Sequence, residues 1–270
     1  MSASRSADRM EFEMALPWRK LGRGLAALAI VAAAWASTAS AAGAASSPVA
    51  GGPSGSGQCS PQAAAARNDP SPATMKTFGE CEIGRRMATL QTLQTAANAS
   101  PGLTTADATR ATADIGAASA ELTRLKAALD GEVTAAAMRV TIVEVVSRVR
   151  VYELVVPQVR LAMVADDVLS LEPHLGQLAS DLAARITRAQ AAGKDVTAAQ
   201  AALDAMNGAL NEAESLAAPW PSRLLALTPS QYDAGTAGPV LQQARAALGS
   251  ARDRLRTAVQ GGRDVLALLK

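Results

Sequence analysis

From residue 80 to the C-terminus, apolar residues recur at intervals of three and four, the spacing that places them on one face of an α-helix. The first predicted helix, over 78–99, carries Ile83, Met87, Leu90 and Leu93 on one stripe and stops at Ser100-Pro101-Gly102. Thr104 and Asp107 then make a capping-box-like start, in which the hydroxyl accepts from free backbone N–H groups and the carboxylate suits the positive helix end. The second helix runs to about 129 and aligns Ile115, Ala118, Leu122, Leu125 and Leu129. Gly131 is placed to close it in the left-handed conformation.

The segment 139–161 is dense in β-branched residues, among them Val140, Ile142, Val143, Val145, Val146 and Val149, which favour strands. A helix is expected nonetheless, because no other segment offers a sheet partner and Glu144 with Arg148 forms a favourable i,i+4 pair. Being apolar nearly all round, this third helix is expected at the centre of the bundle, with Arg139, Arg148, Arg150 and Arg160 reaching outward and Tyr152 packed beside it. Pro157 is expected to kink or restart the chain.

The fourth helix, 157–192, holds Leu161, Val164, Val168, Leu171, Leu175, Leu178, Leu182, Arg185 and Ala189 in heptad register across Pro173, and Gly193 ends it. Asp195 or Thr197 opens the fifth, whose seam is Val196, Ala199, Leu203, Met206, Leu210 and Ala213, until Ala218-Pro219-Trp220-Pro221 interrupts. Thr228-Pro229-Ser230-Gln231 reads as a further capped start, 235–239 as a loop, and 240–269 as the last helix, with Leu241, Ala244, Leu248, Ala251, Leu255 and Val259 on its seam. The connections at 100–104, 130–133 and 193–196 are short, so sequential helices should be antiparallel neighbours. The expected fold is therefore all-α: an elongated, coiled-coil-like antiparallel bundle of five to six helices over 78–270.

The first 77 residues have no such period. Arg19, Lys20 and Arg23 precede the uncharged stretch from Gly24, and Ala39-Ser40-Ala41 supplies an A-x-A cleavage site, so 1–41 reads as a secretory signal peptide cut after Ala41. The same stretch is long enough to serve as an uncleaved anchor, but alanine dominates it and adds little insertion energy. Residues 42–77, with Gly51-Gly52-Pro53-Ser54-Gly55-Ser56-Gly57 at their centre, cannot bury a core and are expected to be a disordered linker. Cys59 and Cys81 are the only cysteines; in an exported chain they are expected to form a disulfide that staples this linker to the first helix.

Composition narrows the chemistry. Alanine supplies 63 of the 270 residues and aromatics 3%, so helices must pack on small side chains. The net charge of +2 belongs to the N-terminus: residues 42–270 hold 21 basic and 21 acidic side chains. A neutral chain with four aromatics past residue 41 lacks the basic face and stacking groups of a nucleic-acid binder, and none is expected as a partner. His174, the one imidazole, sits beside Pro173 on an expected exposed kink, away from any nucleophile. Asp166 and Asp167 are adjacent helix positions pointing about 100° apart and are expected on a solvated face. No catalytic residue, metal site or cofactor is predicted. Arg245, Arg252, Arg254, Arg256 and Arg263 give the last helix a local positive excess that could hold an anionic polymer or partner, and Trp220 is expected to plug the end of a bundle.

The segments Arg150-Val151-Tyr152-Glu153-Leu154-Val155-Val156-Pro157-Gln158-Val159-Arg160-Leu161, Ala192-Gly193-Lys194-Asp195-Val196 and Leu225-Ala226-Leu227-Thr228-Pro229 with Tyr232 resemble a group of uncharacterised, exported, all-helical proteins of high-GC actinobacteria. The resemblance covers about 81–270, implies secretion and a helical body, and carries no functional residue. The chain departs from that pattern at Pro173 and at Pro219-Trp220-Pro221, where bends are expected. The expected function is that of a noncatalytic, secreted or cell-envelope structural and interaction module with a protein or envelope-polymer partner, or with self-association. The alternatives are an exported carrier with an apolar ligand against the 140–161 region, and a membrane-anchored bundle held by an uncleaved N-terminal segment.

Overall fold

The computed structural model describes residues 57–270. The signal segment, the Ala41 cleavage site and linker residues 42–56 lie outside the described residues. No strand occurs among the described residues, and the chain is all-α. In chain order the helices are α1 (Ser60–Asn68), α2 (Pro72–Ala99), α3 (Thr105–Gly131), α4 (Ala135–Ser147), a π-helical turn (Val151–Val155), α5 (Val156–Ala191), α6 (Thr197–Ala217), α7 (Trp220–Leu224), α8 (Pro229–Asp233) and α9 (Ala237–Leu268).

The helical body begins earlier than apolar periodicity indicated. Where a disordered linker was expected to run to 77, α1 forms from Ser60 and α2 from Pro72. Ser71 caps α2 by accepting from the Thr74 amide, with Pro72 in the first turn where no N–H is needed. The Cys59–Cys81 disulfide, with Cα atoms 5.9 Å apart, ties α1 to α2 and supplies by a covalent link what its alanines lack in apolar area.

Two three-helix groups share α5. In the first, α2 and α3 are antiparallel: Lys76 Nζ lies 3.1 Å from Asp130, and Gln94 Nε2 donates to Thr112 Oγ1 at the other end. The chain from α4 through the π turn into α5 runs alongside α2, with Ile142 beside Gly79 and the Tyr152 hydroxyl 3.3 Å from Thr89 Oγ1. In the second group α5, α6 and α9 pack together: Leu182 and Met206 both lie against Gly262, and Arg254 bonds Glu212 at 2.6 Å. The antiparallel arrangement expected of sequential helices holds for α2 with α3; α6 and α9, which are not sequential, are antiparallel as well.

The seam of α9 alternates small and large: Ala237, Leu241, Ala244, Leu248, Ala251, Leu255 and Ala258 are all buried. Each alanine lets the neighbouring backbone approach, and each leucine fills the space beside it, so the interface interdigitates despite its small residues. On α6, buried Ala199, Leu203, Met206, Leu210 and Ala213 answer that pattern.

Three expectations about helix placement require correction. The β-branched third helix is not central: α4 packs on α2 and α3, and Val133, Val140 and Val143 are 83%, 61% and 60% exposed. Nor does it extend to 161. It ends at Ser147, and Arg150 adopts a left-handed conformation with φ 48°, held by bonds from its guanidinium to Asp233 and its stacking over Tyr232. Pro157, expected to kink or restart the chain, does restart it, in the first turn of α5, and the π turn just before it widens the backbone where the ring would otherwise meet a carbonyl one turn back. Finally, Gly131 stays within α3, which Glu132 ends in an extended conformation; the left-handed glycines are Gly193 and Gly235.

The heptad register of α5 holds from Val168 to Leu182. Ahead of it Gln158, Val159, Ala162, Ala165 and Asp166 are buried instead, and at the far end Ile186 replaces Arg185 and Ala189. The first half of this helix is enclosed on more than one face.

Two glycines test this packing in opposite directions. Gly84 lies in α2 with nothing near its missing side chain, so Gly84→Ala should stabilise the protein by roughly 0.5–1 kcal/mol through helix propensity. A Cβ on Gly102 would fall 2.8 and 2.9 Å from backbone atoms of Asp167, so Gly102→Ala should destabilise by about 1–3 kcal/mol. Urea denaturation of both variants checks the signs.

Candidate functional site

The expected catalytic poverty meets a specific geometry. His174 is exposed beside Pro173, which α5 carries without ending. Among the described residues no group of three His, Cys, Asp or Glu side chains is placed to hold a metal ion. The arginines of α9 have different surroundings. Arg245 and Arg263 are exposed, Arg254 bonds Glu212, Arg256 bonds Asp253, and Arg252 is half-buried with its charge acting on Asp167. Trp220 is buried in α7, which packs on α5, with Arg223 stacked 4.5 Å over its ring and the indole Nε1 lacking a hydrogen-bond partner.

Two polar clusters are built into the N-terminal group. In the first, Glu82, Arg85, Arg86 and Thr89 recur at helical spacing on α2 and face Tyr152 in the π turn. The guanidinium carbons of Arg85 and Arg86 lie 4.7 and 5.3 Å from the Tyr152 ring centroid, a cation–π arrangement. Arg86 is 4% exposed and bonds the Glu82 carboxylate and carbonyl. Burial works to raise the Glu82 carboxyl, but hydrogen bonds from Arg86 and Arg85 outweigh it and hold the group below its ordinary range. Every part has a structural use: the cluster fixes the π turn against α2.

The second cluster lies where the 100–104 loop joining α2 to α3 crosses α5. Thr104 caps α3 by accepting from the Asp107 amide at 3.1 Å and donates its hydroxyl to the Asp107 carboxylate at 2.6 Å. Against this turn stand Asp166 and Asp167. The solvated face expected for that pair is wrong for Asp166, which is 2% exposed, with Oδ2 lacking any hydrogen-bond partner. Removal from water pushes its carboxyl up to about 7; the charge of Asp107 and, less, of Asp167 adds to this, while the Thr104 backbone amide works the other way. Asp167 is raised by burial against the pull of Arg252, whose own affinity for its proton is reduced by burial. Nearby, Gln158 donates to Asp114 at 3.1 Å, and burial raises that carboxyl against the charge of Arg110. Sequence spacing gave no sign of this enclosure, because it arises from the loop of one hairpin closing over a face of α5 outside the heptad seam.

The third feature is apolar. Ala136, Val140 and Val143 follow one another at intervals of four and three on the outer face of α4, all exposed, and Val133 in the loop just ahead of the helix is exposed as well. No known protein family, curated protein or solved structure matches this chain.

The acidic cluster fixes a pH dependence. Asp166 binds its proton more tightly folded than at its ordinary 3.8, so the folded state holds more protons between about pH 4 and 7. Stability should fall as pH rises through that window and level off above it, by an amount on the order of 4 kcal/mol from this group. Asp166→Asn should therefore be more stable than the parent at pH 8, with the difference shrinking toward pH 4; urea denaturation across that range reads it.

Proposed function

We infer that the protein is a noncatalytic, exported helical module that spaces or holds a partner in the cell envelope or outside the cell. The observation that carries this is the valine stripe of α4. Burying Val140 and Val143, with Val133 in the loop ahead of the helix, would remove apolar surface from water, and nothing within the described chain covers them. Such a stripe on a surface helix is an interaction face in search of an apolar counterpart, either another protein or a second copy. The disulfide agrees with an oxidising compartment, and no helix of the described residues is long and apolar enough to cross a membrane. Retention by the N-terminal segment would make the same module a tethered one. For the carrier alternative, Val140 and Val143 of the 140–161 region face outward, while Val145, Val149, Val151, Leu154, Val155 and Val159 are buried.

Two measurements test this reading. Intact mass of protein recovered from medium and membrane fractions should give a species starting near Ala42, lighter by about 2 Da before reduction than after. An uncleaved membrane species with free thiols would contradict export in this form. Separately, Val140→Glu with Val143→Glu should leave stability within about 0.5 kcal/mol while removing retention by isolated envelopes or concentration-dependent sedimentation. If both forms of association survive the substitution, the stripe is not the interaction face.

A further inference from the structure

The 100–104 loop holds few anchors of its own. Leu103 is half-buried, Gly102 rests its backbone on that of Asp167 with no room for a side chain, and the Thr104 cap starts α3. Beneath it α5 is held firmly, with Val159, Ala162, Ala165 and Val168 buried around Asp166. Any repulsion at this joint is therefore relieved by the loop, not by the helix. Asp166 of α5 lies buried there with one carboxylate oxygen lacking a hydrogen-bond partner. The cation on α9, Arg252, acts on Asp167, with Arg256 beside it; Arg110 of α3 acts on Asp114; and Arg223 of α7 lies over the Trp220 ring. The charges acting on Asp166, of Asp107 on α3 and Asp167 on α5, are both negative, and the Thr104 backbone amide works against them.

We propose that the joint between the 100–104 loop and α5 is a proton-operated clasp, closed when Asp166 carries its proton and opened when it does not. In acid, Asp166 is a neutral carboxyl that belongs in a dry site. When the proton leaves to solvent, a buried carboxylate with an unpartnered oxygen is left beneath the loop, and hydration requires the loop to lift. Lifting exposes the Gly102–Asp167 contact and the first turn of α3 while α6 and α9 stay packed. The clasp thus converts a change of external pH near neutrality into a local opening at one end of the α2–α3 hairpin, with no cofactor or covalent step.

Hydrogen exchange on the full chain, read by mass spectrometry at pH 5.5 and 8.5 and corrected for intrinsic exchange rates, tests this. Amides of 100–107 should lose about tenfold or more in protection at the higher pH, while α6 and α9 peptides hold theirs. Asp166→Asn should keep the low-pH protection at both values. Asp107→Asn, which removes one opposing charge, should move the transition to lower pH and shrink the loss of protection. Protection of 100–107 that is unchanged between the two pH values, or that falls equally in Asp166→Asn, would overturn the proposal. Should Asp166→Asn fail to fold, an unmoved transition in Asp107→Asn would overturn it as well.

Discussion

One helix has to satisfy two sets of neighbours. α5 packs against α2 and under the 100–104 loop of the α2–α3 hairpin, and also against α6, α7 and α9. A helix with one neighbour buries one stripe; α5 buries Gln158, Val159, Ala162, Ala165 and Asp166 before settling into the single seam of Val168, Leu175, Leu178 and Leu182. The departure from α-helical winding just upstream follows from the same constraint. Chain leaving α4 must be re-aimed to lie along both groups, and it does so through a left-handed Arg150 and a π turn fixed on either side by Asp233 with Tyr232 and by the Glu82–Arg85–Arg86 cluster on Tyr152. Non-glycine residues enter that conformation only where surrounding contacts hold them, and here both sets of contacts come from distant parts of the chain.

Small side chains make the arrangement feasible and weak per residue. Alanine brings backbones together but removes little apolar surface from water, so α5, α6 and α9 need 36, 21 and 32 residues to build their interface. Close approach also turns glycines into contacts: Gly261 and Gly262 admit Met206, and Gly102 admits the backbone of α5. Where the approach encloses a polar group, as at Asp166, one carboxylate oxygen is left buried without a hydrogen-bond partner. Stability and the acidic joint thus have one origin in composition.

What the sequence made legible was whatever one segment decides alone. The seams of α3, α6 and the first half of α9, the Thr104 cap, the Thr228–Gln231 capping box and the Cys59–Cys81 pairing all rest on local spacing or on there being only two cysteines. Periodicity says that a face must be covered, but not by what. For that reason the sequence places α4, apolar nearly all round, at the centre, whereas its Val140–Val143 face is left outside and only Met138, Thr141, Ile142 and Val145 pack inward. Arg150 carries no local signal for a left-handed turn, so the end of α4 at Ser147 was illegible, while Pro157 marks the start of α5 as its chemistry implies. Asp166 was illegible because its burial depends on a loop sixty residues away, and the α1 helix because its alanines show no periodic apolar stripe.

The central claim is that α5 makes the two helical groups one cooperative body. Native-state hydrogen exchange of the full chain in rising denaturant measures this most directly, by following the slowest amides of α2 and α3 and those of α6 and α9. The account predicts that both sets converge on one unfolding isotherm together with α5. Amides of α6 and α9 that open in a separate, lower transition while α2, α3 and α5 keep their protection would contradict it.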